Sequence, residues 1–152
     1  MEHVVDHATP SDLEALVAIL DACFSSPWTA EMMAEELERP MARVLVVRPA
    51  EGKPPIAFVD CWIVADEMHV LNVATHPDHH RRGHARRLME AALALAQQQD
   101  LQCVTLELRE SNRAARRLYD ALGFVPIGTR PRYYADTGED AVVMIRRLVT
   151  RS

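Results

Sequence analysis

The 152-residue chain predicts a single α/β domain built on a mixed β-sheet. Hydrophobic residues make up 49% of the chain and charged residues 26%, as in ordinary globular proteins. Short runs of β-branched residues alternate with segments of helical periodicity. A strand, a long helix and another strand follow one another, which predicts one parallel crossover within the sheet. We therefore expect residues 1–152 to form one domain with the order β-α-α-β-β-β-α-β-α-β-β.

The N-terminal half predicts a strand, two helices and three more strands. Residues 2–8 favour the first strand. Ser11-Asp12-Leu13-Glu14 has the Ser-x-x-Glu form of a capping box, so a helix is expected from there to about Cys23. A second helix is expected over Ala30 to Glu38. The β-branched segments that follow predict an antiparallel meander over residues 42–47, 56–65 and 68–74.

The C-terminal half predicts two helices and three strands. A polar loop over 75–82 leads into a long helix over 83–99, and a strand is expected over 102–108. Ser111 or Asn112 caps a short helix that ends before Gly123, where a C′ glycine is expected. Two closing strands are expected over 124–128 and 141–148, joined by a loop that carries Arg130, Tyr133 and Tyr134.

The charge of the chain argues against a nucleic-acid partner. The chain carries 17 basic and 22 acidic side chains, a net charge of −5. Residues 1–75 hold 13 acids and 4 bases, whereas residues 76–152 hold 9 acids and 13 bases. This asymmetry indicates either one anionic and one cationic partner or simply a solvated surface.

The cysteines and the N-terminus indicate a cytoplasmic protein. Cys23, Cys61 and Cys103 are widely spaced and form no Cys-x-x-Cys motif, which is typical of a reducing compartment. The N-terminus is acidic and lacks the apolar run of a signal peptide, and no apolar stretch is long enough to cross a membrane. We expect no membrane partner and either a monomer or a weak dimer.

The basic loop before the long helix is the first candidate site. The first N–H groups of a helix have no intrahelical partner, so they bind anions such as a diphosphate well. Gly83 and Ala85 keep the side chains small where an anion would approach, and arginines add positive charge. A basic loop that merely starts a helix is the alternative. The candidate residues are Arg81, Arg82, Gly83, Ala85, Arg86 and Arg87.

Four histidines in nine residues, His76, His79, His80 and His84, raise the possibility of a metal site. No acid or cysteine stands at a recognised ligand spacing beside them. Histidines that face solvent or phosphate are the preferred interpretation, and we expect no metal.

Two further segments carry groups suited to proton transfer. Glu107 lies within a strongly apolar strand, where a carboxylate is costly unless it is paired or used. It is either a general base or the partner of a nearby arginine such as Arg109. Asn112 and Tyr119 are seven residues apart, which places them on one face of a short helix. The Tyr119 phenol is either a proton donor or a packed core residue.

Taken together, these segments resemble the GNAT N-acetyltransferases over about residues 2–148. The pyrophosphate loop of that family, Gln/Arg-x-x-Gly-x-Gly/Ala, corresponds to His-Arg-Arg-Gly-His-Ala at 80–85. The chain is most similar to the RimI-type subgroup, which acetylates the N-terminal alanine of a small-subunit ribosomal protein. The matching segments are residues 71–77, 106–112 and 118–124, Ser-Pro-Trp at 26–28 and Arg-x-x-Tyr-Tyr at 130–134.

The resemblance implies a GNAT-like acyl-CoA N-acyltransferase fold, acetyl-CoA as co-substrate and direct transfer without a covalent intermediate. It implies Glu107 as the general base and Tyr119 as the general acid. The acceptor implied is a protein N-terminus, with a small-subunit ribosomal protein as the first candidate. The implied acceptor-binding residues are Trp28, Tyr133 and Tyr134. The implied coenzyme-binding residues are Val73, Ala74, Thr75, Arg81, Arg82, Gly83, His84, Ala85, Arg86 and Asn112.

Three other functions stay open at this point. The first is an acetyltransferase for a small amine such as a polyamine or an aminoglycoside, which would use the same chemistry with a different acceptor pocket. The second is a regulatory module that binds acetyl-CoA without catalysis. The third is a metal-binding module built on the histidines.

Overall fold

The computed structural model describes residues 3–149, which form a seven-stranded sheet with helices on both faces. The strands are β1 (Val4–His7), β2 (Ala42–Arg48), β3 (Ala57–Val64), β4 (Glu67–Thr75), β5 (Cys103–Arg109), β6 (Val125–Tyr134) and β7 (Glu139–Arg147). The helices are α1 (Leu13–Cys23), α2 (Ala30–Glu38), α3 (His84–Gln98) and α4 (Arg113–Ala121), with short 3-10 helices at Pro10–Asp12 and Pro77–His79.

The sheet is mixed, as predicted, and its strand order is β1-β2-β3-β4-β5-β7-β6. Strands β2, β3 and β4 form the expected antiparallel meander. The parallel pair is β4 and β5, which α3 connects. This parallel ladder runs only from Glu67–Cys103 to Val70–Leu106. Beyond those residues the two strands no longer pair with each other.

Two hydrophobic clusters cover the two faces of the sheet. Leu88 and Ala92 of α3 pack on one face, with Tyr119 of α4. Leu16 of α1 and Met33 of α2 pack on the other face. Neighbouring residues of one strand pack into different clusters, since side chains alternate between the two faces along a strand. No helix within residues 3–149 has the length and apolar character needed to span a bilayer.

The first helix begins differently from the prediction. Thr9, not Ser11, precedes the first helical turn, and the Asp12 carboxylate accepts a hydrogen bond from the Thr9 N–H at 2.9 Å. Asp12 also binds both terminal nitrogens of the buried Arg48 at 2.7 Å. The predicted capping box at Ser11 is therefore wrong. Asp12 is shared between the helix start and an ion pair to β2, a contact that local sequence does not reveal.

The predicted loop at Arg130, Tyr133 and Tyr134 is also wrong, because these residues belong to β6. Pro126, Gly128 and Pro131 suggest a break in sequence. An edge strand tolerates proline because one of its edges needs no ladder partner. Strand β6 is such an edge strand, and its register with β7 is irregular between Pro126 and Gly128 and between Arg130 and Tyr134.

A pair of buried carboxyl groups lies between β3 and α2. Asp60 is fully buried, and neither of its oxygens has a hydrogen-bond partner within the described chain. Glu36 is also buried and accepts hydrogen bonds from Trp62 Nε1 at 2.6 Å and Arg39 Nε at 3.1 Å. Burial and the neighbouring Glu36 carboxylate raise the pKa of Asp60 to about 9. Asp60 is therefore protonated at neutral pH.

Replacing Asp60 by Asn should make stability less dependent on pH. The folded protein retains a proton that the unfolded chain releases near a pKa of about 3.9. Wild-type stability therefore falls as pH rises from about 4 towards about 9, by at most about 1.4 kcal/mol per pH unit from this group. The melting temperature of Asp60→Asn, relative to wild type, should rise between pH 5 and pH 8.

Thermal melts at the two pH values measure this effect. Asp66→Asn, in the exposed turn between β3 and β4, is the matched control and should follow wild type. A difference between Asp60→Asn and wild type that does not change with pH would contradict the assignment of a buried neutral carboxyl group.

Candidate active site

A bulge in β4 separates this strand from β5. Asp60 of β3 lies opposite Asn72, but Cys61 lies opposite Val70, so Leu71 is an extra residue in β4. Before the bulge, Val70 belongs to the α3-side cluster; after it, Ala74 belongs to the α1-side cluster. A bulge bends a strand and increases its local twist. The β4–β5 ladder accordingly ends at Val70, and a gap opens in the sheet beyond it.

A cavity of about 460 Å³ lies beside this gap, on the α3 and α4 face of the sheet. It brings the end of β4, the start of α3 and one side of α4 together. Arg82 is not in its lining, and the Arg82 carbonyl instead accepts a hydrogen bond from Arg87 at 2.8 Å. The predicted coenzyme-binding residues that line the cavity are Val73, Ala74, Thr75, Arg81, Gly83, His84, Ala85, Arg86 and Asn112.

The start of α3 presents backbone N–H groups to this cavity. Gly83 is the residue before the helix and has φ 77° and ψ 18°, a left-handed conformation that favours glycine. No side chain of the described chain caps this end of the helix. The first-turn N–H groups and the positive end of the helix dipole are thus available to an anion.

The histidines of this region serve different contacts. His84 is buried; its Nδ1 accepts from Arg87 at 3.1 Å, and its ring packs edge-on against His3 at 4.6 Å. Burial, with the nearby His3 and Arg87, lowers the pKa of His84 to about 4, so the ring is neutral at neutral pH. His80 Nε2 lies 2.9 Å from the Thr75 carbonyl. Within residues 3–149 no three His, Cys, Asp or Glu side chains are grouped to hold a metal ion.

Tyr119 lies on α4 and lines the same cavity as Asn112. It is 8% exposed and packs edge-on against Phe124, with ring centroids 5.8 Å apart. Burial raises the pKa of Tyr119 to about 12, so the phenol keeps its proton at neutral pH. Asn112, rather than Ser111, caps α4: its Oδ1 accepts from the Ala115 N–H at 3.1 Å. Tyr119 is therefore packed against the core and also lines the cavity, and its role as a proton donor stays a prediction.

Glu107 faces a second cavity of about 370 Å³. Its neighbours Leu106 and Leu108 belong to the α3-side cluster, so Glu107 points to the opposite face of the sheet. Glu107 Oε1 lies 3.3 Å from Arg130 Nε. Glu107 Oε2 is buried and has no hydrogen-bond partner within residues 3–149.

The arginine paired with Glu107 is not the one expected from sequence. Arg109 instead binds both oxygens of Asp136 at 2.9 Å and lies 4.1 Å from the centre of the Tyr134 ring. The turn between β6 and β7 supplies Asp136, which holds Arg109 away from Glu107. Arg130 on β6 is the partner instead. It contacts Glu107 across β7, which lies between β5 and β6 in the sheet.

Of the three acceptor-binding residues expected from sequence, two line the Glu107 cavity and one does not. Tyr133 and Tyr134 line the Glu107 cavity. They also line a neighbouring cavity of about 800 Å³ with Phe24, Ser25 and Ser26. Trp28, in contrast, packs partly buried against the core beneath α1 and α2 and lines neither of these cavities.

Sequence reasoning missed two contacts at this site. The Cys23 thiol donates a hydrogen bond to the Thr75 carbonyl at 3.2 Å and so ties the end of α1 to the end of β4. The second missed contact is the ion pair between Arg130 and Glu107. Arg130 was visible in the Arg-x-x-Tyr-Tyr motif, but its partner depends on the strand order of the sheet.

Comparison with known proteins identifies the fold and the family. The model of the acetyltransferase (GNAT) family matches residues 13–124. The [ribosomal protein bS18]-alanine N-acetyltransferase of Haemophilus ducreyi (strain 35000HP / ATCC 700724) is 30% identical over 144 residues, which cover 93% of this chain and 97% of that protein.

Solved structures of acetyltransferases have the same fold as this chain. The crystal structure of the ribosomal-protein-S18-alanine N-acetyltransferase from Escherichia coli has a TM-score of 0.89 at 28% identity, covering 99% of this chain and 97% of that one. Arabidopsis thaliana NAA60, crystallised in complex with acetyl-CoA, shares the fold with a TM-score of 0.85 at 18% identity, covering 97% and 99%. As its motifs predicted, this chain belongs to the GNAT family of acetyltransferases.

Proposed function

We propose that this protein transfers an acetyl group from acetyl-CoA to the N-terminal α-amine of a protein. The first candidate acceptor is the N-terminal alanine of a small-subunit ribosomal protein, which also implies a cytoplasmic enzyme. One observation carries the proposal: a cavity at the start of α3 and a cavity that contains Glu107 lie on opposite faces of the sheet, beside the gap between β4 and β5. A thioester held on one face could meet an amine held on the other.

The first cavity suits the coenzyme. The N–H groups at the start of α3 would bind the diphosphate, with Arg81 and Arg86 adding positive charge. The edge of β4 that faces the gap has no strand partner after Val70, so its backbone groups can bind an extended amide-bearing arm. Val73, Ala74 and Thr75 supply those groups. When bound, acetyl-CoA would supply an activated acyl group.

Glu107 and Tyr119 are suited to opposite proton transfers. Glu107 would take a proton from the acceptor ammonium, directly or through one water, and the neutral amine would then attack the thioester carbonyl. A backbone N–H of residues 73–75 would stabilise the negative charge that develops on the carbonyl oxygen. Tyr119 lines the coenzyme cavity and would donate its phenolic proton to the departing thiolate. A carbon–nitrogen bond forms, the nitrogen releases its second proton to water, and a carbon–sulfur bond breaks.

The acceptor side favours a peptide over a small amine. Tyr133 and Tyr134 line both the Glu107 cavity and its neighbour, so the two cavities adjoin at these side chains, and a peptide would have room to extend from one towards the other. An α-amine has a pKa of about 8 and a lysine amine about 10.4, so the α-amine costs about 3 kcal/mol less to deprotonate. Glu31, Glu35 and Glu38 lie exposed on α2 and would attract a basic peptide.

A peptide assay tests the proposed acceptor. A basic peptide with a free alanine N-terminus should release free thiol from acetyl-CoA and gain one acetyl group on the α-amine, as measured by mass spectrometry. The same peptide with a blocked N-terminus should not react, even if it contains lysine. Faster reaction of a polyamine would instead favour a small-amine enzyme. Coenzyme binding without thiol release from any amine would favour a regulatory module.

Glu107→Gln should lower kcat by about 100-fold, since a positioned general base contributes on that order or more. The Kd for acetyl-CoA should not change, because Glu107 lies on the face of the sheet opposite the coenzyme cavity. Initial rates and calorimetry measure the two quantities. Glu110→Gln, an exposed acid three residues further on, is the control and should match wild type. An unaltered rate in Glu107→Gln would exclude this residue as the base.

Tyr119→Phe should slow acetyl transfer by about 10- to 100-fold, because the phenyl ring cannot donate a proton to the thiolate. The fold should survive, since the ring contact with Phe124 needs no hydroxyl. Steady-state kinetics and thermal melts check both expectations. Full activity in this variant would leave Tyr119 with a packing role alone.

A further inference from the structure

The Glu107 carboxylate is held on one oxygen only. Arg130 Nε lies 3.3 Å from Oε1, whereas Oε2 is buried and has no partner within the described chain. A buried carboxylate oxygen without a hydrogen bond is costly and normally acquires a partner. Arg130 therefore pairs with one oxygen of Glu107, and the other oxygen is a buried acceptor that a donor bound in the cavity would satisfy.

The sheet places Arg130 where it can make this contact. Glu107 lies opposite Val143 of β7, and Arg109 lies opposite Ala141. Ala141 in turn lies opposite Arg130 of β6, so Arg130 shares the sheet face of Glu107 and approaches it diagonally across β7.

Two contacts surround Arg130 on β6, and a third keeps Arg109 away from Glu107. The bulge after Arg130 is fixed by Asp140, whose Oδ1 accepts from the Arg132 N–H at 2.9 Å. The Arg130 guanidinium lies 5.9 Å from the centre of the Tyr133 ring. Arg109, two residues along β5, is already bound to Asp136 and lies within 3.8 Å of Glu139. Arg130 is thus the arginine available to Glu107.

We propose that Arg130 is a positioning residue that orients the Glu107 carboxylate through Oε1 and keeps Oε2 free to accept the acceptor's proton. This inference rests on the proposed function. In the step concerned, an N–H bond of the acceptor ammonium breaks and an O–H bond forms at Oε2, directly or through one water. Arg130 takes no part in this proton transfer. Its role is to fix rotation of the carboxylate.

Arg130→Gln should lower kcat by about 10-fold while leaving the KM for acetyl-CoA and the melting temperature unchanged. Arg130 is 58% exposed in its side chain, so its loss should not unfold the protein. Arg130→Lys keeps the charge, and its kcat should lie between those of wild type and Arg130→Gln. Arg132→Gln, on the same strand, is the matched control and should keep wild-type kinetics. A wild-type kcat in Arg130→Gln would overturn the proposal.

A double-mutant cycle separates positioning from a general structural effect. If Arg130 acts only through Glu107, the double variant Glu107→Gln with Arg130→Gln should be no slower than Glu107→Gln alone. A further 10-fold loss in the double variant would overturn the proposal. The cycle also separates the two levels of inference. Full activity in Glu107→Gln would contradict the proposed function, whereas an impaired Glu107→Gln with a normal Arg130→Gln would contradict only the role of Arg130.

Discussion

The early end of the β4–β5 ladder is the feature on which the candidate site depends. Parallel strands normally stay paired, because each unpaired backbone group in a sheet loses a hydrogen bond. Here pairing stops at Val70 and Leu106, and the bulge at Leu71 turns the rest of β4 away. The Cys23 thiol and the Thr75 carbonyl hold the displaced end in place. The backbone groups left free by the lost ladder are those that a ligand can use.

The sheet also separates two groups of opposite chemical character. Tyr119 lies on the α4 side in an apolar setting that keeps its proton on the phenol. Glu107 lies on the other face, with its Oε1 3.3 Å from Arg130 Nε. Because alternate residues of a strand face opposite sides, one strand can contribute apolar core on one face and Glu107 on the other. The gap between β4 and β5 lies beside the cavities on both of these faces.

Sequence predicted most of the fold and most of the residues that line the candidate cavity, because local signals marked both. Gly83 after a basic loop marked the start of α3, and Asn112 marked the start of α4. Contacts set by strand order were not predictable. Arg130 looked like a loop residue because Pro131 follows it, yet it lies on an edge strand two strands from Glu107. The Asp12–Arg48 pair, 36 positions apart, was missed for the same reason.

The most direct measurement is a crystal structure determined with coenzyme A bound. The diphosphate should lie on the N–H groups at the start of α3, beside Gly83, and the thiol end should reach the gap between β4 and β5, between Tyr119 and Glu107. Absence of coenzyme from this cavity at saturating concentration, or a thiol end directed away from the gap, would contradict the assignment of this cavity and of both proton-transfer residues.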